Sequence, residues 1–189
     1  MRQYPPYRPP FSELSISDQL MTIFLYGMAV PAFLSSPYGL YYLVRGGIKY
    51  AFRKSDFKRE IKRLERRGFV ALTKTKNGLK IKLLKKGLQR QHQALFNNLR
   101  LKVSDEWDKK WRLLIFDIPE KQKNQRNLLR MRLKQLGMYN IQRSVFVYPY
   151  DCRDELYFVA EHYEVDEYTT YAEVVNIDIE KELLAHFDL

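Results

Sequence analysis

The pattern of apolar positions predicts two short helices near the start of the chain. The first begins near Ser17-Asp18, which can cap it, and keeps an apolar face as far as Met28. The second begins at Ser36, and Gly46-Gly47 ends it. The uncharged stretch from Gln19 to Val44 is long enough to cross a bilayer, but its prolines and its Ser-Ser-Pro break favour two buried helices over one span.

A third predicted helix has the clearest periodicity. Phe57, Ile61 and Leu64 form an apolar stripe, Ser55 is the expected N-cap, and Gly68 is the expected stop. Its other faces are mostly basic and carry only two glutamates. The basic residues are Lys58, Arg59, Lys62, Arg63, Arg66 and Arg67.

An alternating pattern after the third helix predicts a β-hairpin. Phe69 to Lys74 alternates, Asn77-Gly78 is typical of a type I′ turn, and Leu79 to Leu83 alternates again. A further helix is expected over about 84–98. Three helices followed by a basic hairpin is the order of a winged helix, in which the third helix enters the major groove of duplex DNA. The alternative is that the basic residues of the third helix only form a solvated face and do not bind DNA.

The second half of the chain has a different pattern, and its β-α-β…α-β order fits a ferredoxin-like β-α-β-β-α-β domain. The pattern gives a strand at Trp111–Phe116, a turn at 117–120 and a helix that Gly137 ends, then a strand at Ile141–Val147, a helix at Asp154–Tyr163 and a strand region at Thr170–Ile179. The fold class is therefore α+β. We expect a flexible Pro-rich arm at 1–12, a winged helix-turn-helix domain at 13–102 and a ferredoxin-like domain at 105–189.

Charge divides the chain at nearly the same place. Residues 1–104 contain 21 Lys/Arg and 5 Asp/Glu, whereas residues 105–189 contain 12 Lys/Arg and 17 Asp/Glu. A polyanion is expected to bind the first half and to be repelled by the second. The residues expected to contact DNA are Lys54, Lys58, Arg59, Lys62, Arg63, Arg66, Arg67, Lys74, Lys76, Lys80 and Lys82.

Cysteine and histidine usage excludes two classes of site. A single cysteine, Cys152, allows no internal disulfide, and with three scattered histidines it provides no zinc site within one chain. We expect a reduced thiol in a cytoplasmic protein, without a secretory signal and without a membrane partner.

Two segments carry a resemblance to known families. The second half resembles the CRISPR-associated Cas-two family. The resemblance lies in Trp111–Glu120, in a basic helix that ends at Leu136-Gly137 and in the strand Gln142–Phe146. Ser36–Gly39 and Phe57–Gly68 are similar to the N-terminal winged helix of PaaX-like transcriptional repressors, in which a Cas-two-like domain follows. PaaX-like proteins continue into a third domain, whose contribution is not carried over to this chain.

The PaaX resemblance implies a dimeric, sequence-specific regulator of transcription. The winged helix would bind double-stranded DNA without a cofactor, and the C-terminal domain would form the homodimer. An RNA-binding protein is a further alternative. Whether a small-molecule effector exists is left open by the sequence.

The Cas-two resemblance implies an alternative function at Asp117. In Cas-two nucleases the carboxylate that ends the first strand is the proposed catalytic, metal-binding residue, and Asp117 matches it. This alternative is an endonuclease dependent on Mg²⁺ or Mn²⁺, or a component of a spacer-acquisition complex. Asp117 and Glu120 also have the spacing of a helix capping box, which needs no metal. Ser144 either contacts phosphate or is only packed in its strand.

Overall fold

The computed structural model describes residue 17 and residues 54–75, 78–104 and 106–189. The arm, the first two predicted helices (apart from helical Ser17) and the hairpin residues Lys76 and Asn77 lie outside this description. The chain divides into two compact units, with the boundary between Asn98 and Leu99. None of the helices in the described ranges has the length and apolar character required to cross a bilayer.

The first unit is a helix, a hairpin and a second helix. Its elements are α1 (Lys54–Arg66), β1 (Val70–Thr75), β2 (Gly78–Leu83) and α2 (Lys85–Asn97). As predicted, Gly68 ends α1: it has a φ of 72°, and the N–H of Phe69 donates to the carbonyl of Leu64 at 2.9 Å. Ser55, the expected N-cap, lies inside the helix instead.

The hairpin forms with a register one residue away from the predicted turn. Val70 pairs with Leu83 at the base, and Thr75 pairs with Gly78 at the tip. Gly78 is therefore the first residue of β2, and Asn77-Gly78 is not the central pair of the turn. The winged helix also requires the helices predicted before residue 54, and these lie outside the described residues.

The start of α2 packs very closely against the base of the hairpin at Gly87. A Cβ atom at this position would lie 2.2 Å from the backbone oxygen of Phe69, which also accepts the N–H of Leu84 at 3.0 Å. Only a residue without a side chain fits here, because the opposing atom belongs to the backbone and not to a flexible side chain.

We therefore expect Gly87→Ala to destabilise the protein by about 1–3 kcal/mol, the usual cost of overpacking. The sign is diagnostic, since Gly→Ala in an unobstructed helix is normally stabilising by up to about 1 kcal/mol. Urea unfolding measures the effect, and Gln89→Ala, an exposed change in the same helix, serves as the control. A Gly87→Ala protein as stable as the wild type would contradict the close approach.

The second unit has a four-stranded antiparallel sheet with helices in its crossovers. Its elements are β3 (Trp111–Phe116), α3 (Lys123–Gln135), β4 (Tyr139–Gln142), β5 (Val145–Tyr148), α4 (Arg153–His162), β6 (Thr169–Val174) and α5 (Glu180–Phe187), with 3₁₀ turns at Glu120–Gln122 and Asp166–Tyr168. The strand order is β4-β5-β3-β6. Up to β6 this is the predicted β-α-β-β-α-β order, consistent with a ferredoxin-like fold.

Two of the predicted elements in this unit are wrong. The expected single strand Ile141–Val147 is a hairpin of β4 and β5, irregular between Asn140 and Gln142, where the Asn140 amide donates to two backbone carbonyls. The expected strand region Thr170–Ile179 ends at Val174, and α5 follows it. Beyond the strand, Ile177 and Ile179 pack in the cluster of Trp111 and Leu183 and do not continue the sheet, whereas Val175 is 60% exposed.

The two faces of the sheet are buried to different extents. Leu114 and Phe116 of β3 point to one face and are buried, and the Phe116 ring stacks on Phe146 at 6.1 Å. Trp111 and Ile115 point to the other face. Trp111 is fully buried in a cluster with residues of α5, whereas Ile115 is 38% exposed. The second face is therefore closed at one end and open at the other.

Candidate nucleic-acid interface

α1 separates its apolar and cationic side chains onto opposite faces. Ile61 and Leu64 are 3% and 0% exposed and fix the buried side. The cations that share the opposite side follow the i, i+3, i+4, i+7 spacing of one helical face, and all are exposed. This surface, called here the α1 cationic face, consists of Arg59, Lys62, Arg63 and Arg66.

Few acidic residues lie close enough to neutralise the α1 cationic face. Glu60 lies beside it, forms an ion pair with Arg63 at 3.4 Å and accepts a hydrogen bond from the Ser17 hydroxyl. An exposed pair of this kind contributes only about 0–1 kcal/mol, so it leaves Arg63 available for other anions. Among the described residues, Lys62 and Arg66 have no ion-pair partner. The face therefore has the charge and exposure that binding to a phosphate backbone needs.

The remaining predicted DNA contacts are only partly described. Arg67 and Lys82 are exposed, and the Arg67 guanidinium lies 5.1 Å from the centre of the Phe69 ring. The side chains of Lys54, Lys58, Lys74, Lys76 and Lys80 lie outside the described residues. The structure thus places Arg59, Lys62, Arg63 and Arg66 on one face of α1, while the contributions of Lys54, Lys58 and the hairpin tip stay predictions.

Two cations on α2 were not among the predicted contacts. The Lys86 ammonium and the Arg90 guanidinium lie 5.3 and 5.0 Å from the centre of the same Phe69 ring. The one signal in the sequence is that α2 contains no acidic residue. Their convergence with Arg67 depends on how α2 packs against the hairpin, which periodicity does not reveal.

Asp117 follows β3 and has an exposed side chain. Its backbone N–H donates to the carbonyl of Tyr168 at 3.0 Å, and its carboxylate has no hydrogen-bond or ion-pair partner within the described ranges. The predicted capping box is wrong, because α3 begins at Lys123 after a 3₁₀ turn and has no side-chain cap. Glu120 instead pairs with Arg126 at 2.7 Å and Lys123 at 3.2 Å, and these contacts lower the pKa of Glu120.

The surroundings of Asp117 do not fit a metal site formed by one copy of the chain. Nowhere in the described part of the chain do three Asp, Glu, His or Cys side chains come together as metal ligands. Ser144 is half-buried, and its carbonyl accepts the N–H of Phe116 at 3.0 Å. Asp117 is thus a single oxygen ligand, and divalent cations need several.

Basic and acidic residues are separated along the second unit. The total charge of residues 105–189 does not reveal this separation. Residues 121–143 contain seven Lys/Arg and no Asp or Glu, whereas twelve of the seventeen acids lie beyond residue 150. Arg130 donates to the carbonyl of Arg143 at 2.7 Å. Burial, together with the nearby charges of Arg126 and Arg143, lowers the pKa of the Arg130 guanidinium. The surface around α3 is therefore basic.

Two buried charged side chains of this unit, Arg112 and Glu155, are held by ion pairs. Arg112 is 6% exposed and makes a two-pronged contact with Asp108, at 2.5 and 2.6 Å, which raises the pKa of Arg112. Glu155 is 1% exposed and pairs with Lys102 at 3.4 Å, while burial raises the pKa of Glu155. Burial also raises the pKa of the Cys152 thiol, so this free cysteine is held in its unreactive protonated form.

Comparison with known proteins assigns the second unit. Residues 104–183 match the family model described as the PaaX protein central Cas2-like domain, which spans the whole sheet of this unit and its two crossover helices. No curated protein matches the chain. Residues 104–183 therefore form a Cas2-like domain of the PaaX type.

Proposed function

We propose that this protein is a dimeric transcriptional repressor that binds duplex DNA in the cytoplasm. α1 and the hairpin contact the DNA, and the Cas2-like domain joins two copies. The observation that carries the proposal is the α1 cationic face, which lies opposite the buried Ile61 and Leu64. The match of residues 104–183 to the PaaX central Cas2-like domain supports it, because that domain fits a PaaX-like regulator.

The chemistry of the α1 cationic face suits duplex DNA. A helix fits the major groove, where the planar guanidinium of arginine binds the O6 and N7 atoms of guanine with two hydrogen bonds. Lysine, a compact point charge, suits phosphate contacts. The face has three arginines and one lysine, so it can both read bases and hold the backbone.

A salt titration of duplex binding tests the proposal. With about 6–10 phosphate contacts in the dimer, affinity is expected to fall by about 10³–10⁵ between 50 and 200 mM salt. Competition by structured RNA in the same experiment separates the RNA-binding alternative. A shallow salt dependence would contradict the proposal, and stronger competition by RNA than by duplex DNA would replace it.

The open end of the second sheet face supports dimerisation through the Cas2-like domain. Ile115 lies on the central strand β3, between Val145 of β5 and Thr170 of β6. An apolar side chain exposed at the centre of a sheet favours burial against another surface. In a two-fold dimer the same patch on both copies meets itself, so Ile115 would lie at or near the axis.

We expect Ile115→Glu to weaken dimerisation by at least about 100-fold, because two carboxylates would be desolvated against each other across the axis. Analytical ultracentrifugation over a range of protein concentrations measures this. Leu128→Glu is the matched control, since Leu128 is a 41% exposed leucine on α3. A dimer that survives Ile115→Glu, or that Leu128→Glu disrupts equally, would place the interface elsewhere.

A nuclease, or a component of a spacer-acquisition complex, is a second candidate function. It is favoured by the exposed carboxylate of Asp117 at the end of β3, without a partner in the described residues. Labelled DNA or RNA incubated with Mg²⁺ or Mn²⁺ distinguishes the two functions. We expect the substrate to stay intact with the wild type. Cleavage that Asp117→Ala abolishes would favour the nuclease.

A further inference from the structure

Lys102 attaches the segment between α2 and β3 to two elements of the Cas2-like domain. Its backbone carbonyl accepts a hydrogen bond from the hydroxyl of Tyr148, the last residue of β5, at 3.2 Å. Its side-chain ammonium forms an ion pair with Glu155 in the first turn of α4, at 3.4 Å. We call Lys102, Tyr148 and Glu155 the Lys102 latch. One residue of the segment is thus held both through its main chain and through its side chain.

The two charges of the Lys102 latch differ greatly in burial. The Glu155 side chain is 2% exposed, whereas the Lys102 side chain is 69% exposed. A buried carboxylate that loses its cation becomes an uncompensated charge, so this pair resists separation more than an exposed pair does. Lys110, in the same segment, pairs with Glu173 at 3.7 Å, but both of those side chains are exposed and their pair contributes little.

Two buried leucines hold the same segment. Leu99 and Leu101 are both buried, whereas Val103, the next residue after the latch, is 76% exposed. The compact unit that contains the Cas2-like domain includes the chain from Leu99 onward. The match to the PaaX central domain begins at residue 104. The stretch from Leu99 to Lys102 therefore packs as part of this unit although it precedes the matched domain.

Anchoring at Lys102 limits the length of free chain between the two units. α2 ends at Asn97, a few residues before the latch. Without the anchor, residues 99–110, up to the start of β3, would act as a free tether. A flexible chain of that length has an end-to-end distance of about 20 Å on average and about 40 Å at full extension. These lengths are comparable with one helical turn of DNA, about 34–36 Å.

We propose that the Lys102 latch determines which separations between DNA half-sites the dimer accepts. Because it holds the segment on the Cas2-like domain, each copy of α1 stays on a short connection and the two copies bind half-sites at one separation. This rests on the proposed function, which it deepens by naming residues that set its specificity. In this role Lys102 is a positioning residue, which acts through the segment and not through contact with DNA.

The first test measures the mobility of the segment without DNA. A nitroxide label on Val103→Cys reports on the residue next to the latch, while the native Cys152 thiol is buried and stays unlabelled. Adding Lys102→Met keeps the apolar part of the side chain but removes its charge. The rotational correlation time of the label, measured by electron paramagnetic resonance, should then fall by at least about 3-fold. Adding Lys110→Met instead, which removes the exposed pair, should leave it unchanged.

The second test selects bound sequences from a random duplex pool with the unlabelled chains. The wild type and Lys110→Met should enrich inverted repeats with one half-site separation. Lys102→Met should enrich repeats whose separations spread over several base pairs, up to about one helical turn. Lys110→Met removes the same positive charge from the same segment, so a difference in spacing between the two variants does not come from charge.

The outcomes separate the latch from the function on which it rests. A label that is equally slow in Lys102→Met would overturn the latch, and a faster label with an unchanged separation would overturn its role in spacing. The proposed function stands in both cases. A wild type that enriches no inverted repeat would overturn the proposed function and the role in spacing together.

A second variant keeps the proposal testable if Lys102→Met does not fold, as judged by circular dichroism. Tyr148→Phe keeps the ring and removes the hydroxyl that binds the Lys102 carbonyl. It should broaden the selected separations in the same direction. Separations identical to those of the wild type would overturn the proposal.

Discussion

Loss of the α1 cationic face should reduce duplex binding at 0.1 M salt by about 10³-fold for each bound copy of the chain. The variant is Arg59→Gln/Lys62→Gln/Arg63→Gln/Arg66→Gln, and the estimate follows from four lost contacts, each contributing about 0.9 to the salt slope. All four side chains are exposed and lie opposite the buried side of α1, so the fold should be retained. Fluorescence anisotropy with a labelled duplex, titrated from low to high salt, measures both affinity and slope.

A control with the same change in net charge separates a docking surface from general attraction. Lys121, Lys123, Lys134 and Lys181 are exposed cations of the second unit. Their joint replacement by glutamine should change the salt slope by less than about 1 if α1 carries the docking surface. Equal losses in the two quadruple variants would mean that diffuse positive charge, and not the α1 cationic face, holds the DNA.

Trp111→Ala should destabilise the Cas2-like domain by about 3–5 kcal/mol, the largest single effect on stability that we expect. The Trp111 ring is fully buried and lies 4.7 Å from the Trp107 ring and 6.0 Å from the Phe187 ring. Removing it leaves a cavity between the sheet and α5, where Leu183 would also lose its packing. Equilibrium unfolding in urea or guanidinium chloride measures the loss.

Trp111→Phe is the matched control for this prediction. The indole N–H of Trp111 is buried without a hydrogen-bond acceptor in the described structure, so phenylalanine removes an unsatisfied donor while keeping an aromatic ring. We expect Trp111→Phe to destabilise the protein by about 2 kcal/mol less than Trp111→Ala does. A Trp111→Ala protein within 1 kcal/mol of the wild type, or a phenylalanine variant as unstable as alanine, would show that α5 does not pack on this ring.

Sequence patterns predicted the elements whose determinants are local. The stripe of Ile61 and Leu64 with Gly68 behind it gave α1 and its end, because helical periodicity and a left-handed stop depend on neighbouring residues. The strand Trp111–Phe116 was predicted with its observed bounds, because a short apolar run followed by a turn is also a local feature of the sequence. The cations of α1 were found because opposite faces of one helix follow from spacing alone.

The errors came from features that depend on tertiary packing. The apolar residues beyond Val174 have the composition of a strand, but Ile177 and Ile179 pack in the Trp111 cluster with residues of α5, and Val175 is exposed. The hairpin of β4 and β5 was missed because its turn at Arg143-Ser144 lacks glycine and is held by side-chain amide bonds of Asn140. The position of Lys86 and Arg90 beside the Phe69 ring was missed because it arises only when α2 packs against the base of the hairpin.

Selection of bound sequences from a random duplex pool tests the central claim most directly, since it reports base recognition and symmetry together. Two copies of α1 joined through Cas2-like domains should enrich an inverted repeat. Its half-site centres should be separated by one helical turn, about 34–36 Å, or a multiple of it. A pool that shows no enrichment, or that converges on a single site without two-fold symmetry, would contradict the account.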